Sequence, residues 1–286
     1  MDYWQSGSID VGGVRLHYTR TGGGASGAKP PVVLAHGFSD AGLCWTPVAE
    51  ALEADYDLIM VDARGHGRSD APETGYTLAQ MAGDLRGVIA GLGLHRPAVM
   101  GHSMGGGSTL ALAGLYPDVP GAIILEDAGA LSPADFPHRR QAAENPAQSM
   151  FVRLQNKTRD ELIAEMRTQH PDWSEAELGP WADAKLRLHP RAATFDPTIG
   201  IAWPELLPRI TCPALLITAD LDRGAMVSPE RAAEMHRQLS QLQIAHIPGA
   251  GHNIRREQFD RFLEVIRSFL ARWAATYAPA GIQADR

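Results

Sequence analysis

Gly101-His102-Ser103-Met104-Gly105 decides the reading of this chain. The pattern is G-x-S-x-G. Pro97-Ala98-Val99-Met100 before it is short and apolar, follows a turn-like Leu94-His95-Arg96, and reads as a buried strand. Gly106 to Leu115 after it is small and apolar, ends at Tyr116-Pro117, and reads as a helix. A serine on such a tight strand-to-helix turn projects its hydroxyl above the sheet, at the N-terminus of the helix. Glycines flank it because a Cβ there would clash and the backbone must take strained dihedrals. Five-residue patterns also arise by chance, so the strand and helix around the serine carry the inference.

The same alternation extends outward in both directions. Ser8 to Thr21 alternates around Val11-Gly12-Gly13 as a hairpin does, and Gly22 to Lys29 is a Gly-rich loop. Pro31 to Ala35, Tyr56 to Asp62 and Ala122 to Leu125 read as short buried strands, and Thr77 to Leu92 has helical spacing. Buried strands alternating with helices predict a mostly parallel, doubly wound α/β sheet covered on both faces. The alternation pauses after Ala128. From Leu131 to about Leu207 the sequence is helical, rich in Trp and Met, and cut by seven prolines from Pro133 to Pro197. It predicts an inserted helical cap over residues 131–207, with a core of 1–130 and 208–286. The sheet pattern resumes at Pro213 to Thr218. A helix from Pro229 to Leu239, a strand from Gln243 to Ile247 and a helix over about Arg255 to Trp273 follow, and the tail from Ala274 reads as frayed.

Whole-chain properties narrow the function classes. The 286 residues suffice for one large domain or a domain with a cap. Hydrophobic residues are 44% and charged residues 21%, as in ordinary globular proteins. A formal net charge of −7 argues against a nucleic-acid partner. No apolar run approaches the ~18 residues of a membrane span. The start, Met1-Asp2-Tyr3-Trp4-Gln5, does not read as a secretory signal, so the expected location is cytoplasmic. Cys44 and Cys212 fit buried free thiols in a reducing compartment. Neither H-E-x-x-H nor Cys-x-x-Cys occurs, and the glycine clusters at 22–24 and 105–107 lack dinucleotide spacing, so neither metal nor cofactor is expected. The sequence leaves the oligomeric state open.

A serine hydroxyl is a weak nucleophile and needs a base, itself oriented by an acid. His252, in Gly249-Ala250-Gly251-His252-Asn253, lies just past the last strand, at the rim where Ser103 is expected. His246, inside that strand, reads as packed. The acid should fall between serine and histidine in the chain. Asp222, two residues into the loop beyond Asp220, is the first choice, and Asp220 reads as a turn residue. Glu126 and Asp127, at the end of an earlier strand, are the alternative, with anchoring of the cap as their plain structural role. The oxyanion of acyl attack needs two N–H donors. Met104 supplies one, and Phe38 in His36-Gly37-Phe38 supplies the other, with Gly37 letting the backbone turn inward.

Together these segments resemble the α/β-hydrolase superfamily, in its cap-bearing, serine esterase-like and lipase-like branch. The resemblance rests on His36-Gly37-Phe38, Asp62-Ala63-Arg64-Gly65-His66-Gly67-Arg68-Ser69, Gly101 to Gly106, Leu215-Leu216-Ile217 with Asp222, and Gly251-His252. It implies that Arg64 to Ser69 shape the rim without catalytic role and that His102 packs or hydrogen-bonds under the serine turn. Ala219 departs from the family, where glycine often precedes the acid. Dehalogenases and epoxide hydrolases use an aspartate where this chain has Ser103.

The expected activity is hydrolysis of a small or medium carboxylic ester or lactone through an acyl-enzyme. Carbon–carbon bond hydrolysis and haloperoxidase or perhydrolase chemistry use the same fold, and a ligand receptor with an idle triad is the rival from another class. Candidate pocket residues are Gly37, Asp40, Trp45, Met150, Phe151, Trp181 and Trp203, with Leu154 and Trp173 as further cap walls. For most cap residues, packing within the cap is the plainer expectation. Asp40 fits the cap of a helix beginning near Ala41-Gly42, and Lys185 fits a solvated helix face.

Overall fold

The computed structural model describes residues 4–22, 29–130, 151, 153–154 and 156–277. Eight strands form one sheet: β1 (Gln5–Val11), β2 (Val14–Arg20), β3 (Pro31–Ala35), β4 (Asp57–Val61), β5 (Ala98–His102), β6 (Ala122–Glu126), β7 (Ala214–Thr218) and β8 (Leu242–His246). Their order is β1-β2-β4-β3-β5-β6-β7-β8. β1 and β2 pair antiparallel across Gly12 and Gly13, whose φ angles of 60° and 83° suit a two-residue hairpin turn. β2 also runs antiparallel to β4. From β4 to β8 all pairings are parallel.

Parallel strands need crossovers, and the helices include α1 (Thr46–Leu52), α2 (Leu78–Gly91), α3 (Met104–Leu115), α4 (Arg159–Gln169), α5 (Glu175–Leu186), α6 (Trp203–Leu206) and α7 (Pro229–Gln238) between strands, and α8 (Ile254–Glu257) and α9 (Phe259–Ala274) after the last. Every residue of β3 to β7 is buried, which explains their continuous apolar sequence. Alternate residues face opposite sides. Val33, Ile59, Val99 and Ile123 pack with α2 and α3, while Val32, Leu58, Met100 and Ile124 pack with α1 and α9. The last helix expected from the sequence is two. Gln258, with φ −137° and ψ 56°, breaks it between α8 and α9.

Between β6 and β7, Leu154, Leu162, Met166, Trp173, Leu178, Trp181 and Ala182 form a small apolar cluster of their own around α4 and α5. Thr158 starts α4 with a capping box to Glu161. From Leu188 to Ile210 the buried side chains instead join the main core beside α3. Met150 lies outside the described residues. Cys44 and Cys212 are buried and free. Among the described residues no helix is long and apolar enough to cross a membrane.

Candidate active site

Ser103 sits at the end of β5 with φ 50° and ψ −115°, a conformation that non-glycine residues rarely take. The turn closes because its neighbours lack side chains. A Cβ on Gly101 would lie 2.3 Å from the Gly105 carbonyl oxygen, and one on Gly105 would lie 2.2 Å from that of Ala35. α3 can therefore start directly behind the serine, and the hydroxyl is left partly exposed at the rim.

His252 reaches this hydroxyl. Ser103 Oγ is 3.0 Å from His252 Nε2. On the other side, His252 Nδ1 is 2.6 Å from Asp127 Oδ2. A carboxylate accepts only, so Nδ1 carries the proton and Nε2 is left to accept from the serine. Asp127 is fully buried and has φ 41°, another strained position. Met226 N–H donates to its carboxylate at 2.8 Å and Val227 N–H at 3.1 Å. Three donors thus converge on one buried carboxylate.

The carboxylate beside His252 is Asp127, not Asp222, the first choice from sequence. Asp222 lies exposed in a single turn, Leu221–Arg223, and makes no hydrogen bond to His252. Asp127 reaches the histidine because β6 is the neighbour of β5, with Glu126 in register with His102. The loop after β7, where the acid was expected, supplies the two N–H groups that hold Asp127. Glu126, the other alternative, faces away and pairs with Arg255 at 2.9 Å. Asp220 accepts from Gly249 N–H at 2.7 Å and contacts His246 Nε2 at 3.0 Å, bracing the His252 loop from outside. His246 is exposed rather than packed.

Two further histidines support the site. His102 Nε2 donates to the His252 carbonyl at 2.8 Å, and burial holds its imidazole well below the ordinary range, hence neutral. His36 donates through Nδ1 to the Gly37 carbonyl at 2.8 Å and accepts at Nε2 from Ala63 N–H at 3.0 Å. This fixes the backbone just before Phe38. Among the described residues neither Phe38 nor Met104 spends its N–H on a protein acceptor. Both line the cleft of about 640 Å³ onto which Ser103 opens. Leu78, Phe195, Pro197 and Met226 form its apolar wall. Phe38 stacks on Phe195 with centroids 6.1 Å apart.

Most pocket residues expected from sequence lie elsewhere. Trp45 is wholly buried under α1, with the Arg255 guanidinium 4.3 Å from its ring centre. Trp181 belongs to the small cluster, where the Lys185 ammonium sits 4.8 Å from its ring. Trp203 lines a neighbouring hollow of about 760 Å³, and Phe151 is buried in the main core. Gly37 packs against His102. Asp40 makes no helix cap. The N–H of Gly42 goes instead to Asp62 Oδ1 at 2.7 Å, leaving Asp40 buried among cations. Lys185 is likewise buried, not solvated. Arg255 and Arg256, which pair with Asp40, and Glu177, which pairs with Arg256, were not singled out from sequence. Two adjacent arginines three and four residues after His252, ahead of an amphipathic helix, were the available signal. Among the described residues no cluster of three His, Cys, Asp or Glu could hold a metal.

Residues 32–265 match the model of the alpha/beta hydrolase family. The N-formylmaleamate deformylase of Pseudomonas putida is 29% identical, over 92% of this chain and 96% of that protein. The 2-(acetamidomethylene)succinate hydrolase of Mesorhizobium japonicum is 26% identical, over 94% and 96%. The solved structure of a thermophilic esterase from Thermogutta terrifontis, with malate bound, superposes with a TM-score of 0.68 at 28% identity, covering 94% of this chain and 99% of that one.

Proposed function

The chain belongs to the α/β hydrolase family, and from that premise we propose that it is a serine hydrolase cleaving a small or medium carboxylic ester or lactone through an acyl-enzyme. The observation that carries this reading is the unbroken Ser103–His252–Asp127 chain, at 3.0 and 2.6 Å. Ser103 Oγ attacks the acyl carbon as its proton passes to His252 Nε2. The carbonyl oxygen becomes an oxyanion facing the Phe38 and Met104 N–H groups. Removing one such donor typically costs about 100- to 1000-fold in rate. Collapse of the tetrahedral adduct breaks the bond to the alkoxide, which takes the proton from His252. Water then attacks the acyl-enzyme by the same route and releases the acid. Asp127 holds the Nδ1–H tautomer and stabilises the imidazolium throughout.

Phe38, Leu78, Phe195, Pro197 and Met226 favour an apolar group beside the reacting carbon. The printed name of the Thermogutta relative supports an ester, and that of the Pseudomonas relative adds an N-formyl amide to the substrates worth testing. The test is a panel of p-nitrophenyl esters of graded chain length, a lactone and an N-formyl amide, alongside labelling with a fluorophosphonate. Turnover and labelling should both vanish in Ser103→Ala. A parent enzyme with neither turnover nor labelling at Ser103 overturns the reading, and tight ligand binding that survives Ser103→Ala would turn it into a receptor.

A further inference from the structure

Beneath the triad lies a buried cluster of three carboxylates and three cations. Asp40, Glu126 and Glu177 face Lys185, Arg255 and Arg256, and each is at most 8% exposed. Arg256 reaches Asp40 at 3.0 Å and Glu177 at 3.0 Å. Arg255 reaches Glu126 at 2.9 Å and Asp40 at 3.3 Å, and Lys185 reaches Asp40 at 3.1 Å. Each cation also lies over an indole: Arg255 over Trp45, Arg256 over Trp173 and Lys185 over Trp181. The formal charges cancel, and flat aromatic faces take up what the carboxylates leave.

The members come from every part of the site. Asp40 is two residues past Phe38, Glu126 precedes Asp127, and Arg255 and Arg256 follow His252 within four residues. Glu177 and Lys185 belong to α5, in the segment between β6 and β7. Lys185 makes three hydrogen bonds, all to the turn after Phe38: the Ser39 carbonyl at 2.8 Å, Ser39 Oγ at 2.9 Å and the Asp40 carboxylate. That turn needs holding, because Ser39 has φ 66°, which a serine does not favour on its own.

We propose that Lys185 and Asp40 are positioning residues that lock the Phe38 turn to α5, so that the oxyanion donor is in place only while α5 is docked. This rests on the acyl-transfer reading above. Neither Lys185 nor Asp40 lines the apolar cleft, so the lock should act on the rate of the chemical step. The test uses the full chain with Lys185→Met, and Ser39→Ala as a milder variant that keeps the fold within reach. Losing a whole oxyanion donor costs about 100- to 1000-fold, so a loosened one should cost about 10- to 100-fold in kcat. KM for the best p-nitrophenyl ester should stay within about threefold, and affinity for phenylboronic acid, whose Ser103 adduct places an oxygen at the same donors, should fall in step with kcat. Ser39→Ala should move both in the same direction by a smaller factor. Amide exchange over residues 37–40 should accelerate in both variants. Arg159→Ala, which breaks only the half-exposed pair with Asp183 on the outer side of α5, should change neither. If Lys185→Met does not fold, Ser39→Ala decides alone. Unchanged kcat and unchanged exchange in a folded variant, or a loss confined to KM, overturns the proposal. A parent without ester turnover refutes the acyl-transfer reading instead, and exchange at 37–40 then still reports whether Lys185 holds the turn.

Discussion

Replacing Asp127 by asparagine tests the site at its most specific point. The carboxylate accepts from three N–H groups, two from the backbone at Met226 and Val227 and one from His252. Asparagine has one acceptor oxygen and one amide nitrogen that can only donate. The backbone N–H groups cannot turn away, so they take the oxygen. The side-chain NH₂ then faces His252 Nδ1, which must lose its proton to accept. The proton moves to Nε2, where it points at Ser103 Oγ, and the histidine can no longer act as a base. In the serine protease triad this wrong-tautomer substitution costs about 10⁴-fold in kcat, or roughly 5.5 kcal/mol of barrier. We expect a loss of that order for Asp127→Asn and less than about twofold for the exposed Asp222→Asn, since surface changes rarely matter. The assay is kcat/KM on a p-nitrophenyl ester, with circular dichroism to establish that both variants fold. Asp127→Asn retaining more than a tenth of the activity, or Asp222→Asn losing more than tenfold, would refute the assignment.

Three other outcomes are expected. Gly105→Ala puts a methyl 2.2 Å from the Ala35 carbonyl and 2.6 Å from that of His36; both are backbone, so at least the 1–3 kcal/mol typical of overpacking should be lost, with ester turnover falling too, as read by thermal melting and kcat. Arg64→Met strands Asp84, which Arg64 now binds through two contacts of 2.6 Å, and should cost about 3–5 kcal/mol in a denaturant titration. Stability should fall in acid because burial pushes the His66 imidazole down to about 3 and lowers those of His36 and His102. The unfolded chain takes up these protons below about pH 6.5 while the folded one does not, so each group removes about 1.4 kcal/mol per pH unit from there down to its folded value. Denaturant midpoints measured from pH 7 to 4 should show this slope, and His66→Asn should reduce it by one proton.

The parallel sheet was legible because β3 to β7 are buried on both faces and so read as unbroken apolar runs. Ser103 and His252 were legible because their loops follow such runs directly. The acid was not, since chain order admits Asp222 and Asp127 alike. What separates them is the φ of 41° at Asp127 and the aim of two N–H groups from a loop 99 residues away, neither of which has a sequence pattern. Lys185 misled for a related reason. A lone lysine on a short helix ordinarily faces water, and only the packing of α5 on the Ser39 turn buries it. The tryptophans suggested a substrate pocket by composition, yet all three cover cations: Trp45 and Trp173 cover arginines distant in sequence, and Trp181 covers Lys185 one helical turn on.

The place of Asp127 has a consequence for how this scaffold tolerates change. Its strand and the serine's are adjacent and hydrogen-bonded, so the separation of Asp127 and Ser103 is set by the pitch of the sheet, about 4.8 Å per strand. Residues 128–213 follow both in the chain, ahead of β7. Insertions, deletions or wholesale replacement there can reshape what enters the cleft without stretching that spacing, provided the two N–H groups at Met226 and Val227 return to their places. Of the apolar cleft wall, this segment adds Phe195 and Pro197, while the Ser103–Asp127 spacing stays with the sheet and His252 is the one member of the hydrogen-bonded chain brought in from afar.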